Sequence, residues 1–487
     1  MPFTLSSLIA ATRGQLVGGS NAPSVFDRVE IDSRKVQLGS VFWALRGEHH
    51  DGHDFLGEVR QRQAAAAVVH RDQLAQALAA WKYDDSPLIA VADPLTALAD
   101  FARWHRSQHN GVVIGVTGSY GKTTTREMIH SVLSAARPGV RSLKNFNNHI
   151  GLPLSLLELN CSHQFAVIEM GASAVGEIAA LAEIAKPTMG VITGIGLAHV
   201  EGFGSAERIT LGKGELLAAL PVNGFAVLPA DDPITRGMSR RTQSRFVFVG
   251  ESQHSDLLAT NVRVANQQLS FEVDHFEYHV PVTGRHFLQA ALTAMAIARE
   301  FGMSPQQIAD GFQNFQAAPG RCQIHQIGSW TVIDDSYNAN PASMRAACET
   351  LRDWHSDGKR LLIIGDMLEL GPHAEQAHYE LGQAAAEANI DGLLIFGQQS
   401  PHVARGAREA GLKSSRVIEC DQFEFLLATL DAVLEPNDTL LVKGSRGMRM
   451  ERTIEWLRQR ADNFGRYDNS QPRNAVQSEE CKVQSAK

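Results

Sequence analysis

Residues 111–133 read GVVIGVTGSYGKTTTREMIHSVL, and this stretch decides the fold class. Its apolar start predicts a buried β-strand, and the residues from Lys122 onward have the spacing of a helix. The glycines between them let the backbone approach a ligand closely, and the N–H groups at the helix start favour an anion. Strand, glycine loop and helix in this order predict a phosphate-binding loop on a parallel sheet.

The loop departs from the general nucleotide-binding motif at one position, because Val116 stands where that motif has glycine. The remaining TGxxGKT spacing lets Lys122 reach terminal phosphates and lets the Thr123 hydroxyl ligate Mg²⁺. This pattern predicts nucleoside triphosphate binding without defining a reaction. The predicted nucleotide-binding residues are Thr117, Gly118, Ser119, Tyr120, Gly121, Lys122, Thr123 and Thr124.

Alternating strand-like and helical stretches extend from this loop and predict an α/β protein of three domains. Residues 86–318, with the runs GVVIGVTG, QFAVIEMG and MGVITGIG, are expected to form a central, P-loop ATPase-like domain with a parallel sheet. Residues 319–465 contain WTVIDDS, RLLIIGDM, DGLLIFG and DTLLVKGS, which predict a Rossmann-like domain. Residues 1–85 predict a small α/β domain, and the polar, nonperiodic segment 466–487 is predicted to be disordered.

The composition excludes several classes of protein. The chain has 487 residues, which at about 150 residues per domain agrees with three domains. Hydrophobic residues make up 44% and charged residues 20%, as in globular proteins, so most of the chain is expected to fold. The formal net charge of −8, without a basic run, argues against nucleic-acid binding.

Neither a targeting segment nor a membrane span is predicted. The first residues lack the basic and apolar regions of a signal peptide, and no stretch has the roughly 18 apolar residues that cross a bilayer. The five cysteines have no metal-ligand spacing, which is typical of reduced thiols. These features predict a cytoplasmic protein without membrane insertion. The absence of a coiled-coil pattern or a long apolar stripe predicts a monomer.

Two candidate metal ligands follow other predicted strands. Glu169 ends the run QFAVIE, and His199 lies shortly after MGVITGIG. Because ligands bind at the carboxyl ends of strands in open α/β sheets, Glu169 and Thr123 are expected to hold one Mg²⁺. The alternatives are a solvated strand end for Glu169 and a hydrogen-bonded structural role for His199. Lys213, in a helix predicted to start at Ser205, has the pattern of an ordinary surface lysine.

Ten motifs in one order along the chain resemble those of the Mur ligase family. They extend from about Ile31 to Leu457 and read IDSRKVQLGSVFWALRGEHHDGHDF, TGSYGKTTT, NFNNHIGLPL, VIEMGAS, GLAHVEGFGS, GKGEL, PGR, DDSYNANPASM, GDMLELG and VKGSRGMRME. The resemblance implies three domains, which bind a UDP-linked precursor, bind ATP, and close over the site with the incoming amine. This agrees with the division predicted from the strand pattern.

The resemblance assigns roles that the pattern alone leaves open. It implies that CO₂ carbamylates Lys213, and that this carbamate and His199 hold a second Mg²⁺. A lysine beside metal and phosphate charge loses proton affinity, reacts as the neutral amine, and then offers the oxygen ligand that Mg²⁺ prefers. Arg321 is expected to reach ATP phosphate, and Asp335 to bind the ATP ribose. The implied catalytic residues are Lys122, His199, Lys213 and Arg321.

Substrate contacts are also implied by the resemblance. The residues expected in or beside the uridine-diphosphate site are Asp32, Ser33, Arg34, Gly52 and His53. Those expected around the reacting carboxylate and metal are Asn147 and Asn148. Those expected at a dipeptide pocket, together with the GDMLELG segment, are Asn338 and Asn340.

The motifs DDSYNANP and GDMLELG favour the branch of the family that joins D-alanyl-D-alanine to UDP-N-acetylmuramoyl-tripeptide through an acyl phosphate. A sibling ligase that adds a diamino acid is the alternative, although the DNPR motif by which the diaminopimelate-adding enzyme reads its amino acid is absent. Folylpolyglutamate synthase shares the fold but should lack the DSR and DGH segment. A non-catalytic nucleotide-binding module would not need His199 and Lys213.

One segment departs from the family pattern. TGRHFLQAALTAMA, residues 283–296, has Phe287 and Ala290 where the family commonly has asparagines, the second of which contacts adenine. The resemblance therefore implies that another group meets the adenine edge in this chain, or that nucleotide selectivity is relaxed.

Overall fold

A computed structural model describes residues 3–19, 25–81, 86–143 and 146–468, with side chains described as far as residue 462. These residues form three α/β domains, each built around its own sheet, as predicted. The final helix continues to Asp468, and the rest of the segment predicted to be disordered lies outside the described residues. Among the described helices, none is long and apolar enough to cross a membrane.

The first domain contains a small mixed sheet. Its elements are β1 Phe3–Thr4, α1 Leu5–Thr12, β2 Gln15–Val17, β3 Val25–Phe26, β4 Arg28–Glu30, β5 Ser40–Trp43, α2 Leu56–Gln61, β6 Ala66–His70, α3 Leu74–Trp81 and β7 Leu88–Val91. The main sheet has the order β2-β7-β6-β5-β4, in which only β2 is antiparallel to its neighbour. Because β7 pairs with β6, the first sheet includes Leu88–Val91, whereas the boundary predicted at residue 85 lies outside the described residues.

The central domain begins with a helix that packs between the first two sheets. Its elements are α4 Pro94–Ser107, β8 Val112–Thr117, α5 Lys122–Ser134, β9 Gly139–Arg141, α6 Gly151–Leu157, β10 Phe165–Glu169, α7 Glu177–Ala185, β11 Met189–Ile192, α8 Val200–Phe203, α9 Ala206–Ala218, β12 Phe225–Pro229, α10 Pro233–Met238, β13 Arg245–Gly250, β14 Leu257–Leu258, β15 Thr260–Ala265, β16 Gln268–Val273, β17 Phe276–Val280, α11 Phe287–Glu300 and α12 Pro305–Gln313.

The order of the central sheet explains where a ligand binds. Its seven parallel strands run β14-β13-β12-β11-β8-β10-β9, so the chain proceeds in opposite directions on the two sides of β8. Such a reversal leaves a crevice at the carboxyl end of the first strand. In the register, Glu169 of β10 is level with Val116, and Ile192 of β11 is level with Thr117. The phosphate loop and two neighbouring strand ends therefore meet at one edge of the sheet.

The C-terminal domain is a second doubly wound unit. Its elements are β18 Gln323–Ile327, β19 Trp330–Asp335, α13 Pro341–Asp353, β20 Arg360–Gly365, α14 Ala374–Glu387, β21 Gly392–Phe396, α15 Ser400–Glu409, β22 Val417–Cys420, α16 Phe423–Val433, β23 Thr439–Lys443 and α17 Glu451–Asp468. The sheet order is β18-β19-β23-β20-β21-β22, with β18 antiparallel and the others parallel. The loops after β19, β20 and β23 face the phosphate loop of the central domain.

Candidate active site

A cavity of about 610 Å³ lies between the carboxyl ends of the central strands and the C-terminal domain. Its walls combine the phosphate loop, the segments after β10 and β11, and the loops after β19, β20 and β23. The predicted site residues that line it are Ser119, Tyr120, Gly121, Lys122, Thr123, Asn147, Asn148, Glu169, His199, Arg321, Asn338 and Asn340. Folding thus brings together residues that are separated by more than two hundred positions in the sequence.

The phosphate loop needs glycine at two positions. Gly118 has a φ of 153° and Gly121 a φ of 75°, both in the region that favours glycine. A Cβ at Gly118 would also lie 2.2 Å from the Thr193 hydroxyl oxygen. The Ser119 N–H donates to the Gly194 carbonyl at 2.8 Å, which fixes the loop against the segment after β11. The backbone is therefore held in a shape that leaves the start of α5 open to an anion.

Lys122 folds back over this loop. Its ammonium donates to the Gly118 carbonyl at 2.8 Å, so the cation lies beside the loop that is predicted to bind phosphate. Burial lowers the pKa of Lys122, the Glu169 carboxylate opposes that shift, and Arg321 adds to it. A bound phosphate would supply negative charge beside this half-buried cation.

Glu169 joins three polar groups at the end of β10. Its carboxylate accepts hydrogen bonds from the Thr123 hydroxyl at 3.0 Å, the Asn147 amide at 2.9 Å and the Arg126 guanidinium at 3.1 Å. Only 2% of Glu169 is exposed. Thr123 and Glu169 offer the hard oxygen donors that Mg²⁺ prefers. Among the described residues, no group of three or more His, Cys, Asp and Glu side chains could hold a metal ion.

Arg126 was missed by the sequence analysis. This buried side chain donates to Glu127 at 2.6 Å as well as to Glu169, and Arg141 pairs with the other Glu127 oxygen at 2.6 Å. Arg126 therefore links the carboxylates of Glu169 and Glu127, which holds the Glu169 side chain in place. Arg126 follows Thr123 by one helical turn on α5, and this spacing is a signal that could have identified it.

His199 meets the C-terminal domain. It lies between β11 and α8 with a φ of 56°, and its Nδ1 pairs with the carboxylate of Glu369, which was not predicted individually. Burial lowers the pKa of His199, and the Glu369 carboxylate opposes that shift. The neutral imidazole that burial favours is the form that binds metals.

Lys213 is a buried residue of α9, so its interpretation as an ordinary surface lysine is wrong. Only 1% of it is exposed, and its ammonium donates to the Ala172 carbonyl at 2.9 Å. The Phe203 ring centroid lies 5.1 Å from Nζ. Burial, and then the charge of Lys122, lower the pKa of Lys213 to about 7. The side chain lies behind Ala172, which lines the cavity, and half of such amines are neutral near pH 7.

Two arginines flank one aromatic ring on the C-terminal wall. The guanidinium of Arg321 lies 4.3 Å from the Tyr337 ring centroid, and that of Arg446 lies 5.6 Å from it. The Arg446 N–H also donates to the Asn338 side-chain oxygen at 3.2 Å. Arg446 and Tyr337 were not predicted, although Arg446 follows the end of β23 in the way that identified Glu169. This wall presents two cations to the cavity.

Asp335 is engaged within the protein. Its carboxylate accepts a hydrogen bond from Lys443 at 2.6 Å, and Lys443 also donates to the Asn338 carbonyl at 2.9 Å. The described cavity wall does not include Asp335. Its contact with ribose stays a prediction.

Asn340 caps the helix α13. Its side-chain oxygen accepts from the Ser343 N–H at 2.9 Å, and the Ser343 hydroxyl accepts from the Asn340 N–H at 3.0 Å, with Pro341 at the first helical position. Asn148 has a similar role, because its side chain accepts from the Gly151 N–H at 2.9 Å at the start of α6. Both residues line the cavity, and both also accept a hydrogen bond from a backbone N–H in the first turn of a helix.

Replacing Asn340 with alanine is expected to lower the free energy of unfolding by about 1 kcal/mol, because the helix loses its cap. Asn340→Ser should retain most of the stability, since serine is also a good cap. Urea unfolding of the three proteins measures the difference. Equal losses in the alanine and serine variants would contradict the capping role.

The residues predicted for a uridine-diphosphate site lie in the first domain, away from this cavity. Asp32 caps the short 3₁₀-helix Ser33–Lys35, and its carboxylate pairs with the exposed Arg34 guanidinium at 2.9 Å. Gly52 packs so tightly that a Cβ would lie 2.9 Å from the Ala44 backbone. Their contact with a ligand remains a prediction.

His53 occupies the interior of the first domain. Only 2% of it is exposed, its Nδ1–H donates to Asp51 at 2.6 Å, and its Nε2 accepts from the His70 N–H at 2.9 Å. Because both ring nitrogens are engaged, His53 holds the turn at Asp51 against β6. Its place in or beside a uridine-diphosphate site remains a prediction.

Phe287 and Ala290 lie in the apolar core at the start of α11. Both are buried, and the Phe287 ring centroid lies 6.1 Å from that of Phe315. Apolar side chains therefore fill the positions where the family commonly has asparagines.

Comparisons with known proteins agree with this architecture. Models of the Mur ligase family match three segments, namely the "Mur ligase family, catalytic domain" over 25–106, the "Mur ligase middle domain" over 116–298 and the "Mur ligase, glutamate ligase domain" over 320–446. The UDP-N-acetylmuramoyl-tripeptide--D-alanyl-D-alanine ligase of Escherichia coli is 34% identical, over 94% of this chain and 98% of that protein. The Bacillus subtilis ligase of the same name is 32% identical, over 93% and 98%.

Solved structures of related proteins also show similarity to this group of ligases. A crystal structure of MurF from Acinetobacter baumannii has a TM-score of 0.83 and 30% identity, covering 94% of this chain and 99% of that one. MurF ligase from Thermotoga maritima, in complex with ADP, has a TM-score of 0.77 and 28% identity, covering 90% and 98%. With its phosphate loop, its cleft between two α/β domains and its full-length similarity, the chain belongs to the Mur ligase family, in the group of the UDP-N-acetylmuramoyl-tripeptide--D-alanyl-D-alanine ligases.

Proposed function

We propose that this protein uses ATP to join D-alanyl-D-alanine to the terminal carboxylate of UDP-N-acetylmuramoyl-tripeptide, forming the pentapeptide precursor of peptidoglycan, ADP and phosphate. The observation that carries the proposal is the cavity itself. It is lined by Lys122, Thr123 and Glu169 from one domain and by Arg321 and Arg446 from another. A phosphate-binding face and a cationic face are the parts needed to transfer a phosphoryl group and to receive a second, anionic substrate.

In the first step, an oxygen of the tripeptide carboxylate attacks the γ-phosphorus of ATP, and the bond to the ADP oxygen breaks. Lys122 and Arg321 both line the cavity, where both can offset charge on the phosphoryl group being transferred. Asn147, held by the Glu169 carboxylate, is available beside the reacting carboxylate. The product is an acyl phosphate.

In the second step, the free amine of the dipeptide attacks the acyl carbon, phosphate leaves, and the amine loses a proton. Arg446 is suited to the dipeptide carboxylate, because it is a cation on the C-terminal wall and Arg321 is assigned to phosphate. Asn338 positions the Arg446 backbone. Closure of the cleft by the C-terminal domain would exclude water that otherwise hydrolyses the acyl phosphate.

We propose that these side chains hold two Mg²⁺ ions. Thr123 and Glu169 would hold one with ATP phosphates, and His199 would hold the other with a carbamate formed from CO₂ on Lys213. When bound, the ions would neutralise charge on the phosphates. The fit rests on the pair of oxygen donors 3.0 Å apart at the phosphate loop, and on a buried lysine whose pKa is about 7.

We further propose that one chain is sufficient for activity, because the cavity is formed by the loops of a single chain. ATP and a UDP-linked substrate are cytoplasmic metabolites, so the proposed reaction belongs to the cytoplasm.

Phosphate release tests the proposal. The protein is mixed with Mg²⁺-ATP and UDP-N-acetylmuramoyl-tripeptide, with D-alanyl-D-alanine present, omitted or replaced by a free diamino acid. Release that requires the dipeptide is expected, with formation of the pentapeptide confirmed by mass spectrometry. Release that instead requires the diamino acid and a shorter precursor would overturn the substrate assignment, and no release with any amine would overturn the ligase activity.

A further inference from the structure

Two loops from different domains meet at one pair of residues. His199, after β11, pairs through Nδ1 with the carboxylate of Glu369, after β20. The Val200 N–H also donates to the Glu369 carbonyl at 3.1 Å. Both members of the pair have positive φ angles, 56° at His199 and 63° at Glu369. Non-glycine residues keep this conformation only where their surroundings determine it, so the backbone of each loop is held in the shape that allows the contact.

The loop that carries Glu369 is fixed within the C-terminal domain. The Leu368 N–H donates to the Ser445 hydroxyl at 2.9 Å, and the Met367 N–H donates to His378 Nε2 at 2.9 Å. The Asp366 carboxylate accepts from the N–H of Gln398 at 2.8 Å. Glu369 therefore moves with the C-terminal domain, whereas His199 belongs to the central domain.

The His199–Glu369 pair is not explained by a contribution to the stability of the fold. The side chains of His199 and Glu369 are 38% and 55% exposed, and such exposed ion pairs contribute little to folding. The contact has a different chemical consequence. With Nδ1–H donated to the carboxylate, Nε2 is the nitrogen that remains for a ligand, and a carboxylate on the far nitrogen fixes the tautomer and the ring direction of metal-binding histidines.

We propose that Glu369 is a positioning residue that orients His199 toward the second metal position, so that this position is complete only when the C-terminal domain is docked. The proposal rests on the metal assignment within the proposed function. It couples closure of the cleft to assembly of the metal site, since the two halves of the pair come from the two domains that must approach. A substrate-free, open protein would then keep a poorly formed second metal position.

Metal counting tests this in the full chain. Mn²⁺ binding is measured by electron paramagnetic resonance with a non-hydrolysable ATP analogue, in the wild type and in Glu369→Ala, Glu369→Gln, His199→Ala and the double variant H199A/E369A. E369A is expected to weaken the second Mn²⁺ about tenfold and to leave the first unchanged. E369Q, which keeps an acceptor for Nδ1–H, should recover most of the affinity. In the His199→Ala background, E369A should have no further effect.

The control is Glu201→Ala, which removes an exposed carboxylate from α8, two residues after His199. Unchanged second-site affinity in E369A, an equal loss in the His199→Ala background, or a wild type that binds one Mn²⁺ would each overturn the proposal. A wild type that binds two Mn²⁺ with the expected coupling, yet fails the phosphate-release assay, would overturn the proposed function and leave the positioning role standing.

Discussion

Replacing Lys122 with alanine is expected to lower kcat for phosphate release by roughly 10²–10³-fold, the range seen when one preorganised donor to a developing charge is removed. Lys122 is the cation that lies within the phosphate loop, where its ammonium donates to the Gly118 carbonyl. Without it, the γ-phosphoryl group would lose a counter-charge at the site where negative charge accumulates. Steady-state kinetics with saturating substrates measure the loss.

Lys413→Ala is the matched control, because it removes an exposed lysine of the C-terminal domain and should leave kcat unchanged. Lys122→Arg keeps the charge, but its longer planar group does not fit the loop in the same way, so it should recover only part of the activity. A kcat for Lys122→Ala within threefold of the wild type would contradict the assignment of this residue to phosphate.

Lys213→Ala is expected to lower kcat by about 10²-fold or more. The variant would lose one ligand of the proposed second Mg²⁺, and a bound metal ion stabilises the charge of the transition state by several kcal/mol.

The carbamate itself is predicted to form more readily as the pH rises from 6 to 8. Carbamylation needs the neutral amine, and with a pKa of about 7 this form is scarce at pH 6 and dominant at pH 8. ¹³C NMR of protein supplied with ¹³C-bicarbonate measures the carbamate signal.

The signal should be absent from Lys213→Ala and retained in Lys413→Ala. Lys213→Arg is expected to be as inactive as the alanine variant, because a guanidinium stays protonated and cannot be carbamylated. Depletion of CO₂ should lower wild-type activity, and bicarbonate should restore it. Full activity in CO₂-free buffer, or a carbamate signal that persists without Lys213, would refute this role.

The nucleotide half of the site could be predicted because its signals are local. Thr117 to Thr124 lie in one segment between a strand and a helix, and Glu169 ends an apolar run that reads as a buried strand. Parallel strands bring such ends to one edge whatever the rest of the chain does. The cavity confirms that Lys122, Thr123 and Glu169 share a wall.

Contacts between segments that are distant in the sequence were harder to predict from it. Lys213 looked like a surface lysine, because the helix pattern does not reveal that Ala172 and Phe203 cover it. The sequence also did not show that both ring nitrogens of His53 are hydrogen-bonded within the first domain. The boundary predicted at residue 85 lies outside the described residues, and the sequence pattern did not show that Leu88–Val91 pairs into the first sheet.

The amino-acid sequence by itself determined the α/β class, the three domains, the phosphate loop and the strand-end carboxylate, because short-range patterns of apolar residues and glycines are sufficient for these. Only the tertiary structure decided which groups face one another across the cleft. The pairs His199–Glu369 and Asp335–Lys443 join positions more than a hundred residues apart. The first contact depends on how the central and C-terminal domains pack, and the second on the pairing of β19 with β23 within one sheet. No local pattern of residues encodes either contact.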